Sequence, residues 1–311
     1  MSMRATAEGS SRWLPLVLLL LLGAVFGGNP SFSKALVTNG ISPASIIFWQ
    51  TFVAGIILAS TCLIRRTPVP RDVRAITYYF FMGLIGLDLP FIAIVHVVQR
   101  LSAGYMSVVI LLAPLMTYVF AIMFRIERLQ VMRALGIIVG FTGAGVLVIP
   151  QGSLPSPDLL PLALLAFIVP ASYGLSNVYA ELSRPAGADN VALVTGTMFA
   201  AALGAVIVIL VDNSFHPIWA GFGWRDVILL LYALSTAVGF LMFYIVIELA
   251  GAVYLGQAGY IVTLTGVGWG VLFFDEVTTF WLWVAIVIVG IGVALVNFGT
   301  RIADPESDQS V

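Results

Sequence analysis

Leu101-Ser102-Ala103-Gly104-Tyr105 opens an apolar run that passes Pro114 and ends at Phe124, where Arg125-Ile126-Glu127-Arg128 follows. A second apolar run then closes on Gly140-Phe141-Thr142-Gly143-Ala144-Gly145-Val146. The same order returns 149 residues later. Ala250-Gly251-Ala252-Val253-Tyr254 opens a run to Phe274, Asp275-Glu276 follows, and the next run closes on Gly290-Ile291-Gly292-Val293. Tyr105 then falls on Tyr254, Glu127 on Glu276 and Gly143 on Gly292. Two apolar segments around one acidic hinge, in the same order twice, define an internal repeat.

The whole chain suits such segments. Its 311 residues are 60% hydrophobic and 9% charged, against roughly 25% charged in soluble domains. That much apolar surface needs a lipid bilayer as its surroundings, so the chain is a polytopic membrane protein. A net charge of −1 gives no field that would draw nucleic acid. Cys62 is the only cysteine, which excludes an internal disulfide and a cysteine metal cluster, and it reads as a small apolar core residue. Arg4 and Arg12 before a leucine run imitate a signal peptide. The run continues into Gly27-Gly28-Asn29-Pro30-Ser31-Phe32 without a small-x-small cleavage site, so it reads as an uncleaved first span.

A membrane-crossing helix needs roughly 20 apolar residues. Ten segments are predicted to cross: 14–37, 43–64, 75–98, 102–124, 131–149, 159–181, 190–211, 226–249, 253–274 and 279–298. Continuous apolar runs favour helices over a barrel, whose strands alternate. With the N-terminus in the cytoplasm, that side collects Arg4, Arg12, Arg65, Arg66, Arg71, Arg74, Arg125, Arg128, Arg133, Arg184 and Arg301. Only Lys34, Arg100 and Arg225 fall outside. The bias places both termini in the cytoplasm.

Five spans per half is an odd number, so the halves are predicted to lie inverted. The expected fold is all-α and integral to the membrane, ten transmembrane helices in two inverted five-helix repeats. Residues 1–13 form an N-terminal tail, 14–149 the first repeat, 150–158 an outer connection, 159–298 the second repeat and 299–311 a C-terminal tail. Inverted repeats of this kind suit carriers that bind solute between the halves near mid-membrane.

The motifs carry a likeness. Gly28-Asn29 in the first helix, Tyr173-Gly174-Leu175-Ser176-Asn177 in the sixth, Glu127 and Glu276 after the fourth and ninth, and glycine-rich fifth and tenth spans stand in this order. In this the chain resembles the EamA-type transporters of the drug/metabolite transporter superfamily, over nearly its whole length. The resemblance implies export or import of small organic solutes such as amino acids, metabolites or drugs, with Glu127 and Glu276 as markers of the fold. Phe26 and Tyr173 stand where the family often has Trp, and Val97-Val98-Gln99-Arg100 replaces its usual Ala-Leu before span four. Both departures imply an altered pocket.

Polar groups in hydrocarbon are costly, so each one marks a candidate. Asp88, mid-span in Gly83-Leu84-Ile85-Gly86-Leu87-Asp88-Leu89-Pro90, takes either a proton or a partner. His96 lies two turns on, roughly 12 Å along the helix, which suits a water-linked relay and not a direct bond. Both are candidates for lining a solute cavity and for proton coupling; the alternative for Asp88 is a hydrogen bond to a neighbouring helix. Asn29-Pro30 interrupts the first helix, and either opens backbone groups to a cavity or makes a packed kink.

Tyr173 and Asn177 are spaced i, i+4 in span six, where Pro170 is predicted to kink the helix. Tyr105, Tyr244, Gln257 and Tyr260 present polar edges that suit an amphipathic solute as well as plain packing. Trp49 and Gln50 in span two are candidates of the same kind. Lys34, near the outer end of span one, either attracts a carboxylate or snorkels to the interface, and snorkelling is the favoured reading. Gly136, Gly140 and Gly143 permit close helix approach, either internally or as the seam of a homodimer.

The chain has no Gly-x4-Gly-Lys-Ser/Thr loop for ATP and only two histidines, so no cofactor and no metal is expected. The reading that follows is a secondary transporter of a small organic solute, amino-acid-like or amphipathic. It is not an enzyme, leans to export, and sits in the cell membrane, on this reading a bacterial inner membrane. A membrane-embedded enzyme on a lipid substrate, or a non-transporting scaffold or sensor, are the rival classes.

Overall fold

The computed structural model describes residues 14–148, 154, 156–219, 221–255 and 258–303. These residues form helices joined by short turns, with no strand among them. The first predicted span is α1 (Leu14–Gly27) and α2 (Asn29–Val37), and the second is α3 (Pro43–Ile64). The third is α4 (Val73–Gly83), a π-helical turn (Leu84–Asp88) and α5 (Leu89–Val97). The fourth is α6 (Ala103–Ile110) with α7 (Ala113–Met123), and the fifth is α8 (Val131–Leu147). A 3-10 turn (Pro157–Leu159), α9 (Leu160–Ala166) and α10 (Ile168–Ser183) make the sixth. Then come α11 (Asn190–Asp212), α12 (Trp224–Leu255), α13 (Ala258–Phe274) and α14 (Phe280–Ala303).

Local chemistry sets these bounds. Ser42, Asp72, Ser102 and Asp189 each accept a hydrogen bond from a first-turn N–H and so start α3, α4, α6 and α11. Helix interruptions stand just before Pro30, Pro114 and Pro170, each of which lacks the N–H that would continue the ladder. Asn213 ends α11 in the left-handed conformation at φ 50°. Arg125 after α7 and Asp275 after α13 share that conformation, at φ 62° and 49°.

Eight of the helical segments are long and apolar enough to cross a membrane. Val131–Leu147 and Ala258–Phe274 are apolar but shorter, at 17 residues each. One expected bound is corrected. The connection expected at 250–252 is helical, because Ala250 to Leu255 holds no proline or other strong stop and α12 runs on. Residues 299–303 of the expected C-terminal tail continue helix α14 to Ala303. The N-terminal tail, residues 304–311 and most of the connection 150–158 lie outside the described residues.

Large apolar side chains such as Leu20, Leu203, Leu210 and Phe280 are exposed around the bundle, as a hydrocarbon solvent permits. The largest buried cluster runs through the middle and joins Phe91, Ile94, Tyr105, Met106 and Val109 to Ala237 and Val267. Helix α1 packs on α13 and α12, α10 on α7 and α5, α3 on α11 and α12, α11 on α4, and α6 on α13. The glycines of α8 have an internal role. A Cβ on Gly292 would lie 2.5 Å from the Gly140 nitrogen, and one on Gly143 2.8 Å from Val289 Cγ2, so the seam joins α8 to α14 of the same chain.

Candidate functional site

Four of the residues singled out in the sequence share one property. Asn29 Oδ1, Gln50 Oε1, Asp88 Oδ1 and Tyr105 OH are buried and have no hydrogen-bond partner among the described residues. Ser31 Oγ joins them. Buried polar atoms are nearly always paired, so these unpaired ones are candidates for contact with a solute, although Arg133 Nε and Ser214 Oγ share the property outside the first four spans.

Gln50 belongs to a polar cluster between α3, α12 and α2. Its Nε2 donates to Thr236 Oγ1 at 3.0 Å, and Thr236 in turn donates to the Tyr232 carbonyl at 3.0 Å. The Tyr232 hydroxyl lies 3.1 Å from Ser33 Oγ, and its ring stacks on Phe32. Tyr232, Thr236 and Ser33 escaped the sequence reading. Their signal was there: each is a polar residue within an apolar run, as Gln50 is. Tyr105 is fully buried on α6, and Tyr173 and Tyr244 pack against the same central cluster from α10 and α12.

Asp88 stands elsewhere. The π-helical turn carries it between α10 and α11, where a Cβ on Gly204 would collide with Asp88 Oδ2 and one on Gly86 would touch Ser176. Asp88 and His96 do line one cavity, of about 530 Å³. It is a groove between α3, α4–α5 and α11. His96 is exposed, and its Nδ1 lies 2.7 Å from its own Ile92 carbonyl.

Other candidates have structural occupations. Trp49 packs with Phe48, Phe52, Phe215 and Trp219, and its Nε1–H donates to the His216 carbonyl at 2.9 Å. Asn177 donates to Thr117 Oγ1 at 3.1 Å, tying α10 to α7. The Tyr260 hydroxyl donates to the Gly290 carbonyl at 3.3 Å, tying α13 to α14. Gln257 lies outside the described residues.

Lys34 does not snorkel. It pairs with Glu276, whose side chain is 8% exposed, and lies 5.0 Å from the Phe274 ring centre. Glu276 also accepts from the Ala103 N–H at 2.7 Å and the Gly104 N–H at 3.1 Å, the free donors at the start of α6. One carboxylate thus joins α2, α6 and the turn after α13. Its repeat mate Glu127 instead pairs with Arg133 at 2.9 Å, within one half, and is more exposed.

Comparison with known proteins agrees with this arrangement. Residues 13–149 match the EamA-like transporter family. Two WAT1-related proteins of Arabidopsis thaliana are each 22% identical, over 121 and 142 residues. Those stretches cover 38% and 43% of this chain and span only 33% and 41% of the relatives' own length. A solved crystal structure shares the fold over 94% of this chain and 100% of its own, with a TM-score of 0.64 at 17% identity. The chain is therefore a multi-pass helical membrane protein whose residues 13–149 match the EamA-like transporter family.

Proposed function

We propose that the chain is a secondary transporter that moves a small organic solute by alternating access between two five-span halves, 14–149 and 159–298. The observation that carries this reading is the unequal closure of the two ends. At one end Glu276 of the second half holds Lys34 and the start of α6 in the first. At the other hinge, Glu127 holds only Arg133 of its own half. A carrier that rocks must close one end while it releases the other.

The helix pairings support the two-half reading. Exchanging each span for its counterpart five spans later turns α1–α13 into α10–α7, α3–α12 into α11–α4, and α1–α12 into α10–α5. All six pairings occur. The pairs α3–α11, α6–α13 and α8–α14 map onto themselves and occur too. With both termini cytoplasmic, as the arginine distribution argues, the Glu276 end is the outer one.

The solute path on this reading runs through the interior near Gln50, Tyr105, Tyr173 and Tyr244, where buried polar edges meet an apolar core. Aromatic rings and amide groups suit an amphipathic or amino-acid-like solute. Export is the direction that the resemblance favours.

The test uses Lys34→Cys with Glu276→Cys in a Cys62→Ala background, reconstituted in liposomes with a panel of labelled amino acids and amines. Flux is expected before a short bis-maleimide joins the two thiols and is expected to stop afterwards. Undiminished flux through the cross-linked protein would overturn alternating access at this end.

A further inference from the structure

The groove that holds Asp88 has a construction the transport reading does not use. It is walled by Phe80, Leu84, Ala200, Leu203 and Ile207, and Phe80, Leu84, Leu203 and Ile207 are also exposed on the outside of the bundle. The groove therefore opens sideways, towards lipid. Asp88 lies in it as a buried residue, 8% exposed, with Oδ1 unpartnered among the described residues. Gly204 on the facing helix leaves the space the carboxyl group occupies. Across a crowded helix contact, a glycine thus faces an acid whose Oδ1 has no hydrogen-bond partner among the described residues.

We propose that this lateral groove is a binding site for an organic ammonium ion with an apolar body, which enters from the bilayer and places its N–H donors on Asp88. The chemistry selects that class. A lone carboxyl group in apolar surroundings takes either a proton or a partner, and a protonated amine is the partner that supplies counter-charge and hydrogen-bond donors at once. Among the described residues no Lys or Arg lines the groove to do so from within. A hard metal ion would need six or more oxygen ligands, and the walls are hydrocarbon. At about 530 Å³ the cavity lies within the range of small-molecule sites, roughly 300–1,000 Å³. His96 and Asp212 line the groove towards its polar end, with Ser42 and Ser214. The His96 Nδ1 is already engaged with Ile92, so Asp88 remains the anchor at depth.

The site is separate from the interior path, so it stands or falls by equilibrium binding and not by flux. The full chain in lipid nanodiscs is titrated with radiolabelled phenethylamine, with 2-phenylethanol as a neutral competitor of the same shape. Saturable binding is expected, with the alcohol at least tenfold weaker as a competitor. Asp88→Asn is expected to weaken the amine at least tenfold. Leu203→Trp, which fills the groove from its lipid side and leaves Asp88 untouched, is expected to do the same. Leu164→Trp, exposed on α9 away from the groove, is the matched control and keeps wild-type binding. Absence of saturable binding to the wild type would overturn the proposal. So would equal competition by the alcohol, or unchanged affinity in Leu203→Trp. If Asp88→Asn does not fold, the Leu203→Trp comparison decides alone.

Discussion

Lys34 and Glu276 form an ion pair across 242 residues of sequence, and the same carboxylate accepts two backbone N–H groups from the start of α6. Three chain segments meet on one side chain that is 8% exposed. Removing one member of a buried pair leaves the other charge without compensation, at a cost of about 3–5 kcal/mol. Glu276→Ala is expected at the lower end of that range, because Lys34 keeps some solvent contact. Glu276→Gln retains an acceptor for Ala103 and should lose less. Thermal unfolding in detergent, followed by tryptophan fluorescence, ranks the three proteins. Equal melting temperatures for wild type and Glu276→Ala would show that the contact does not hold the end closed.

Gln50 separates stability from function. Its Nε2 bond to Thr236 contributes about 1 kcal/mol, while its buried, unpartnered Oε1 opposes that gain. Thr236 keeps its bond to the Tyr232 carbonyl without it. Gln50→Leu is therefore expected to change stability by no more than about 1 kcal/mol, yet to reduce solute flux at least tenfold. A melting temperature that falls as far as in Glu276→Ala would make Gln50 a structural residue.

The sequence announced its helices and obscured its contacts. Continuous apolar runs and the cap residues Ser42, Ser102 and Asp189 are local signals, and the helix starts follow them. Asp88, Gln50 and Asn29 were legible as polar residues in hydrocarbon. Where each one points was not, because that depends on which distant helix lies opposite. Asp88 was read as lining a solute cavity or bonding a neighbouring helix, and the π-helical turn and Gly204 of α11 set it in the groove that His96 also lines. Lys34 looked like a snorkelling interfacial residue, because its partner stands 242 positions away. Trp49 looked like a solute contact, because the loop carbonyl of His216 that binds its ring N–H has no signature in sequence.

The Glu127 hinge has its own fastening. The Tyr118 hydroxyl donates to the Arg128 carbonyl at 2.9 Å and accepts from the Gln130 N–H at 3.1 Å, while the Arg133 guanidinium lies 4.8 Å from the Tyr118 ring centre. Tyr118→Phe keeps the ring and removes both hydrogen bonds. The expected cost is about 1–2 kcal/mol, since each such bond contributes about 1 kcal/mol net. Hydrogen exchange should show Gln130 and its neighbours opening faster, with the far hinge at Glu276 unaffected. Faster exchange at both hinges would mean that the two ends are coupled within this one state.

The seam between α8 and α14 gives the sharpest contrast, because glycines of the two helices differ in what surrounds them. A Cβ on Gly292 would sit 2.5 Å from the Gly140 nitrogen and 2.6 Å from its Cα, and backbone cannot swing aside as a side chain can. A Cβ on Gly145 of α8 would meet nothing within 4 Å. Overpacking a tight interior contact costs about 1–3 kcal/mol, whereas replacing an open helical glycine by alanine gains up to about 1 kcal/mol. Gly292→Ala should therefore lower the melting temperature and Gly145→Ala should hold or raise it. The order matters more than either value. If Gly145→Ala is the more damaging change, the helices meet on a different face and the internal seam is misassigned. The same glycines would then be free to form the contact between two copies of the chain that their spacing also permits.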